Sequence, residues 1–145
     1  MNAKKLITFQ VARRFEASAE QVFDAFLDPA KASKFMFATP TGEMVRAEVD
    51  ARVGGKFVFT NRREGMDWVH TGAYLEIDRP HRLVFTLTVE HFGIPPQRVI
   101  IDIVPKGTGC ELTLTQELTP DLEEWVDQSK EGWTAILEKL AAELG

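Results

Sequence analysis

Hydrophobic and polar positions follow three successive regimes along the chain. Leu6 to Phe15 alternates imperfectly, with Ile7, Phe9 and Val11 against Thr8 and Gln10, which predicts a first strand. Ser18-Ala-Glu-Gln21 has the form of a capping box, a hydroxyl at the N-cap and an amide three residues on. Val22, Phe23, Phe26 and Leu27 follow at helical spacing, so the spacing predicts an amphipathic helix that stops near Asp28-Pro29. Asp28 can cap a second short helix, with Pro29 at its first position, running to about Phe35.

Beyond that point the period changes to two. It predicts strands at Glu43–Val49, Lys56–Asn61, Trp68–Ile77, Arg82–Glu90, Arg98–Val104 and Glu111–Leu118. Turn chemistry separates them at Gly54-Gly55, the loop Arg62 to Met66, Arg79-Pro80, Gly93 to Pro96, and Lys106 to Gly109. Connections this short make successive strands antiparallel neighbours, a meander. Thr119-Pro120 then opens a long helix as N-cap and first residue, with Glu123 and Glu124 in the first turn, where the helix dipole favours anions. Its apolar stripe is Leu122, Val126, Trp133, Ile136, Leu137, Leu140 and Leu144. Gly132 interrupts it, as expected where a helix crosses close to a strand.

Strand, two helices, six strands and a long helix make an α+β domain in which one face of a curved antiparallel sheet must be covered. Only the final helix is long enough to do so. A sheet gripping one helix leaves space at its ends, and Phe57, Phe59, Phe85 and Trp133 stand at inward positions where they either fill that space or line it. No repeat, low-complexity segment or linker divides the 145 residues, so one domain spanning 1–145 is expected.

Composition narrows the partners. A formal charge of −5 argues against a non-specific nucleic-acid surface. No stretch reaches the roughly 18 apolar residues of a membrane span, and no signal peptide precedes the first strand, so a cytoplasmic protein without membrane insertion is expected. Cys110 is the single cysteine, which rules out an intrachain disulfide. It shares a strand face with Leu112 and Leu114 and reads as a core residue. His70, His81 and His91 lack ligand spacing, so neither a metal nor another cofactor is expected. The chain has no G-x-S-x-G, G-x-x-x-x-G-K-[ST], G-x-G-x-x-G or H-E-x-x-H, and Gly54-Gly55-Lys56 leads into a strand rather than a helix N-terminus.

Ala19 to Pro29, Glu48 to Asp50, Val53 to Phe59, Gly72 to Asp78, Arg82 to Thr86, Glu111 to Thr115 and Gly132 to Leu137 occur in an order that resembles the bacterial relatives of the activator of Hsp90 ATPase. That family lies within the START-like (Bet v 1-like) superfamily. The resemblance spans nearly the whole chain and implies a helix-grip fold of about seven strands around a C-terminal helix. It implies a hydrophobic or amphipathic small molecule held between sheet and helix, and it leaves contact with a chaperone open by analogy. Members commonly carry histidine after the Leu-Thr-Leu-Thr run and shortly before the Gly-Trp pair. Gln116 and Ser129 stand there in this chain, so imidazole acid–base chemistry is not implied at those points.

The residues themselves single out a wall. Gln116 continues the inward face of Cys110, Leu112 and Leu114, and Ser129 lies between Val126 and Trp133 on the apolar stripe. Buried polar groups need partners, so these two either satisfy each other and local backbone or orient the polar end of a ligand. Trp68, His70 and Tyr74 share one face of their strand, and with Phe85 and Trp133 they complete the candidate ligand-binding set. A binding module is the favoured reading. A cyclase- or hydrolase-type enzyme and a chaperone-related interaction module are the alternatives. The first strand or Glu43–Val49, as a sheet edge, offers a surface for a homodimer, although its Arg and Glu residues equally serve as protection against pairing.

Overall fold

A computed structural model describes residues 6–37, 42–90 and 96–144. The elements are β1 (Ile7–Phe15), α1 (Ala19–Leu27), α2 (Pro29–Phe35), β2 (Glu43–Val49), β3 (Lys56–Arg63), β4 (Met66–Asp78), β5 (Arg82–Val89), β6 (Gln97–Lys106), β7 (Gly109–Leu118), a 3₁₀ turn (Pro120–Trp125) and α3 (Val126–Leu144). The strands form one antiparallel sheet in the order β1-β7-β6-β5-β4-β3-β2. β2 to β7 make the expected meander. β1 does not join β2 but pairs with β7, because α1 and α2 carry the chain from one sheet edge to the other.

Both early helices start as their sequences dictate. The Ser18 hydroxyl accepts from the Gln21 amide at 3.2 Å, and the Gln21 side chain accepts from the Ser18 N–H at 3.1 Å. Asp28 accepts from the Ala30 N–H at 3.0 Å. Val22, Phe23 and Phe26 are buried, and Phe26 meets Phe35 of α2 edge-on at 5.3 Å. The inner face of the sheet, the buried side of α1 and α2, and Trp133, Ile136, Leu137 and Leu140 of α3 share one core. Two bulges curve the sheet: the ladder skips a residue at Val45 in β2 and at Leu75 in β4, leaving both side chains exposed.

Three expectations change. β3 and β4 run beyond their predicted ends, and the supposed loop from Arg62 to Met66 is a two-residue turn, Glu64-Gly65, with Arg63 paired to Met66. The final helix begins later than expected. Thr119 makes no side-chain cap, Leu122 N–H donates to the Thr119 carbonyl three residues back, and Glu123 and Glu124 lie in a 3₁₀ turn that precedes α3. Gly132 faces open space, with nothing within 4 Å of a Cβ placed there. Close approach falls instead on Gly72, where a Cβ would lie 1.8 Å from the Thr86 carbonyl oxygen and 2.6 Å from the Phe57 ring. Cys110 is buried in the core, as expected, and His81 is exposed. His91 and the turn expected from Gly93 onward lie outside the described residues.

Candidate ligand-binding site

The β3–β4 hairpin sets the site. Glu64 (φ 52°) and Gly65 (φ 79°) are both left-handed, the backbone of a tight hairpin turn matched to strand twist. That turn fixes the register, so Asn61 lies opposite Trp68, Phe59 opposite His70 and Phe57 opposite Gly72. Residues paired in this way share a face, and here the face is the buried one. The inner side of β3 therefore changes character along its length, from Phe57 and Phe59 to Asn61 and Arg63.

At this second end the Arg63 guanidinium sits over the Trp68 ring, 4.7 Å from its centroid, and donates Nε–H to Asn61 Oδ1 at 2.9 Å. His70 is buried, with Nδ1 3.2 Å from the Phe59 carbonyl oxygen. A carbonyl can only accept, so the proton of the neutral ring resides on Nδ1. Burial pulls the His70 pKa down to about 4, the nearby Arg63 charge lowers it further, and the Phe59 carbonyl opposes both. The imidazole is thus uncharged at neutral pH.

Phe37, just past α2, stacks on His70 with ring centroids 4.1 Å apart and planes 8° from parallel. Its backbone is left-handed (φ 56°), a conformation costing about 1–2 kcal/mol for a residue other than glycine. Phe37 also meets Trp133 of α3 at 5.8 Å, edge-on. Trp133 Nε1–H donates to Gln116 Oε1 at 2.7 Å, and Gln116 Nε2–H donates onward to Gln97 Oε1. The Gln116 amide oxygen and nitrogen thus each have a partner, which lowers the cost of burying them.

The candidate residues thus divide. His70, Gln116 and Trp133 meet through Phe37, with Trp68 alongside under Arg63. Tyr74 and Phe85 instead pack around Phe57, at 5.6 and 5.5 Å. Burial, with the Asp50 carboxylate second, raises the Tyr74 pKa well above its ordinary value. Ser129 is half-buried one turn before Trp133, and Gln116 takes Trp133 and Gln97 as its partners rather than Ser129. Of the inward aromatics, Phe57, Phe59, Phe85 and Trp133 are all at most 4% exposed.

Phe37, Asn61, Arg63 and Gln97 were not foreseen. Parity would have found Asn61 and Arg63, which continue the Phe57–Phe59 alternation, and Gln97, which precedes Val99 and Ile101. Nothing in the pattern marks Phe37. Open grooves lie elsewhere, between β1 and the far half of α3: adjoining spaces of about 260 and 350 Å³ share Arg13 and Arg14. Arg13 Nε lies 3.0 Å from Glu138 Oε1 there, an ion-pair distance without hydrogen-bond alignment. Among the described residues no group of three or more His, Cys, Asp or Glu could hold a metal ion, and no helix is long and apolar enough to cross a membrane.

A family model described as "Activator of Hsp90 ATPase homolog 1-like protein" matches residues 16–145. The chain belongs to this family. Its fold recurs in protein CV1439 from Chromobacterium violaceum, which is 29% identical with a TM-score of 0.83, covering 94% of this chain and 96% of that one. Protein Mll3558 from Rhizobium loti is 25% identical with a TM-score of 0.77, covering 99% of this chain and all of that one, 100%. An AHSA1-like protein from Aeromonas hydrophila shares the fold at a TM-score of 0.79 and 19% identity, covering 94% and 91%. No curated protein matches. Family and fold together are those of a ligand-binding type of domain, with α3 gripped by the sheet.

Proposed function

We propose that the protein binds a hydrophobic or amphipathic small molecule between the sheet and α3, at the end of the interior formed by Phe37, Asn61, Trp68, His70, Gln116 and Trp133. The observation that carries this reading is the concentration of buried polar side chains at one place. Asn61, His70 and Gln116 are each at most 7% exposed, and all three lie on the inner face beside aromatic rings. A core needs apolar residues at such positions, whereas a binding site needs a few polar groups set in an apolar wall. Neutral His70 and the Gln116–Gln97 chain present hydrogen-bonding groups, and the rings of Phe37 and Trp133 supply flat apolar surface. The same arrangement holds no nucleophile paired with a base, so it favours holding a molecule over transforming it.

Titration with the neutral fluorophore N-phenyl-1-naphthylamine tests this. Saturable binding of one probe per chain is expected, weakened about tenfold in Phe37→Ala, which removes about 1.4 kcal/mol of ring contact. Equal affinity in wild type and Phe37→Ala, or no saturable binding, overturns the proposal. An interaction module would tolerate this interior change.

A further inference from the structure

Arginines in this protein have carboxylate partners, with two exceptions. Arg46–Glu48, Arg62–Asp67, Arg79–Asp24 and Arg82–Asp102 are typical pairs, and Arg13, Arg52 and Arg98 have theirs. Among the described residues only Arg14 and Arg63 form no ion pair with a carboxylate. The segments outside the described residues contain no Asp or Glu, so none of their side chains could supply one. Arg14 is exposed, where water serves as partner. Arg63 is half-buried on the inner face, seated on Trp68 and tied through Nε to the Asn61 amide oxygen.

That setting fixes what Arg63 can do. A guanidinium withdrawn from water without an anion carries a desolvation cost, and burial alone accounts for its lowered pKa. Its Nε–H is committed to Asn61, and the Trp68 ring holds the plane from below. The donors of the two terminal nitrogens are left, a fork whose geometry matches a carboxylate. His70, uncharged beside it, neither repels nor neutralises an incoming anion.

We propose that Arg63 is the anion-recognition residue of the site, and that the molecule bound there is an aromatic or otherwise apolar carboxylate. The carboxylate meets the terminal nitrogens of Arg63 while the apolar body lies against Phe37, Trp68 and Trp133. This rests on the binding reading above and narrows its ligand to one chemical class. Arg63 sets specificity rather than catalysis.

Competition against N-phenyl-1-naphthylamine by 1-naphthaleneacetate and by neutral 1-naphthaleneacetamide separates the two claims. In wild type the acetate should displace the probe at a concentration about tenfold or more below that of the amide. Arg63→Gln should erase this preference, read as the ratio of the acetate and amide concentrations that displace the probe within the variant, so that any change in its own probe affinity or stability cancels. Arg63→Lys should keep part of it and Arg14→Gln all of it. Equal competition by acid and amide in wild type, or a preference that survives in Arg63→Gln, overturns the assignment and leaves the binding site standing. Failure of the probe itself to bind overturns both.

Discussion

The two ends of the inner face are built from the same strands and differ in what they ask of a side chain. At the deep end Phe57, Tyr74 and Phe85 pack ring against ring beside Leu112 and Leu114, and all are at most 3% exposed. Towards the β3–β4 turn Asn61, Arg63, Trp68 and His70 occupy equivalent inward positions. Gln97 and Gln116, the latter in register with Phe85 through Val99, extend this polar set across β6 and β7, joined by hydrogen bonds and ring contacts with defined directions. The deep end follows the rule of apolar interiors. The polar end departs from it, and such departures are expected where function rather than stability selects the residue.

Substitutions on the two sides should have different effects. The largest effect belongs to the deep end: Phe85→Ala should cost about 3–5 kcal/mol in urea denaturation, through lost transfer and a residual cavity, with probe affinity unchanged in the folded protein. Next comes acid. His70 has a pKa of about 4 when folded and about 6.5 when unfolded, so the unfolded chain binds more protons between those values. Stability is full above about pH 6.5 and falls by about 3 kcal/mol as pH drops towards 4. His70→Leu should flatten that slope, and a slope unchanged in the variant would assign it to other groups.

Gln116→Leu strands the Trp133 indole N–H and should cost about 1–3 kcal/mol. Adding Trp133→Phe to it should cost less than the two single changes combined, and strict additivity would mean that the observed 2.7 Å hydrogen bond carries no energy. The smallest effect is a gain. Gly132→Ala has open space and a helical site, so it should stabilise by about 1 kcal/mol and leave binding intact. A loss of probe affinity in that variant would show that the polar end depends on a looser helix.

The deep end was readable from the chain because period-two alternation and burial are the same statement there: Phe57, Phe59, Phe85, Leu112 and Leu114 all face inward as the pattern requires. The capping box at Ser18 and the Pro29 start of α2 were equally legible, since each depends on residues a few positions apart. The polar end was legible in part. His70, Gln116 and Trp133 stood out as residues of unexpected chemistry on inward faces. Asn61 was legible by parity, as the last residue of the predicted strand on the Phe57–Phe59 face. Arg63 was not, because Arg-Arg-Glu-Gly reads as loop chemistry and only the two-residue turn reveals that the strand continues to Arg63. Phe37 depends on a left-handed backbone held by tertiary contacts with His70 and Trp133, information that no local pattern contains. The course of β1 to β7 likewise depends on where two helices carry the chain, which alternation within a strand does not specify.

The most direct test of the central claim is two-dimensional ¹H–¹⁵N NMR of the protein during titration with N-phenyl-1-naphthylamine. Saturating shifts are expected of the Trp133 and Trp68 indole N–H signals and the Gln116 side-chain amide, with the backbone amides of Tyr74 and Phe85 moving little. Shifts centred on Arg13, Arg14 and Glu138 in the β1–α3 groove, or none at the two tryptophans, would contradict it.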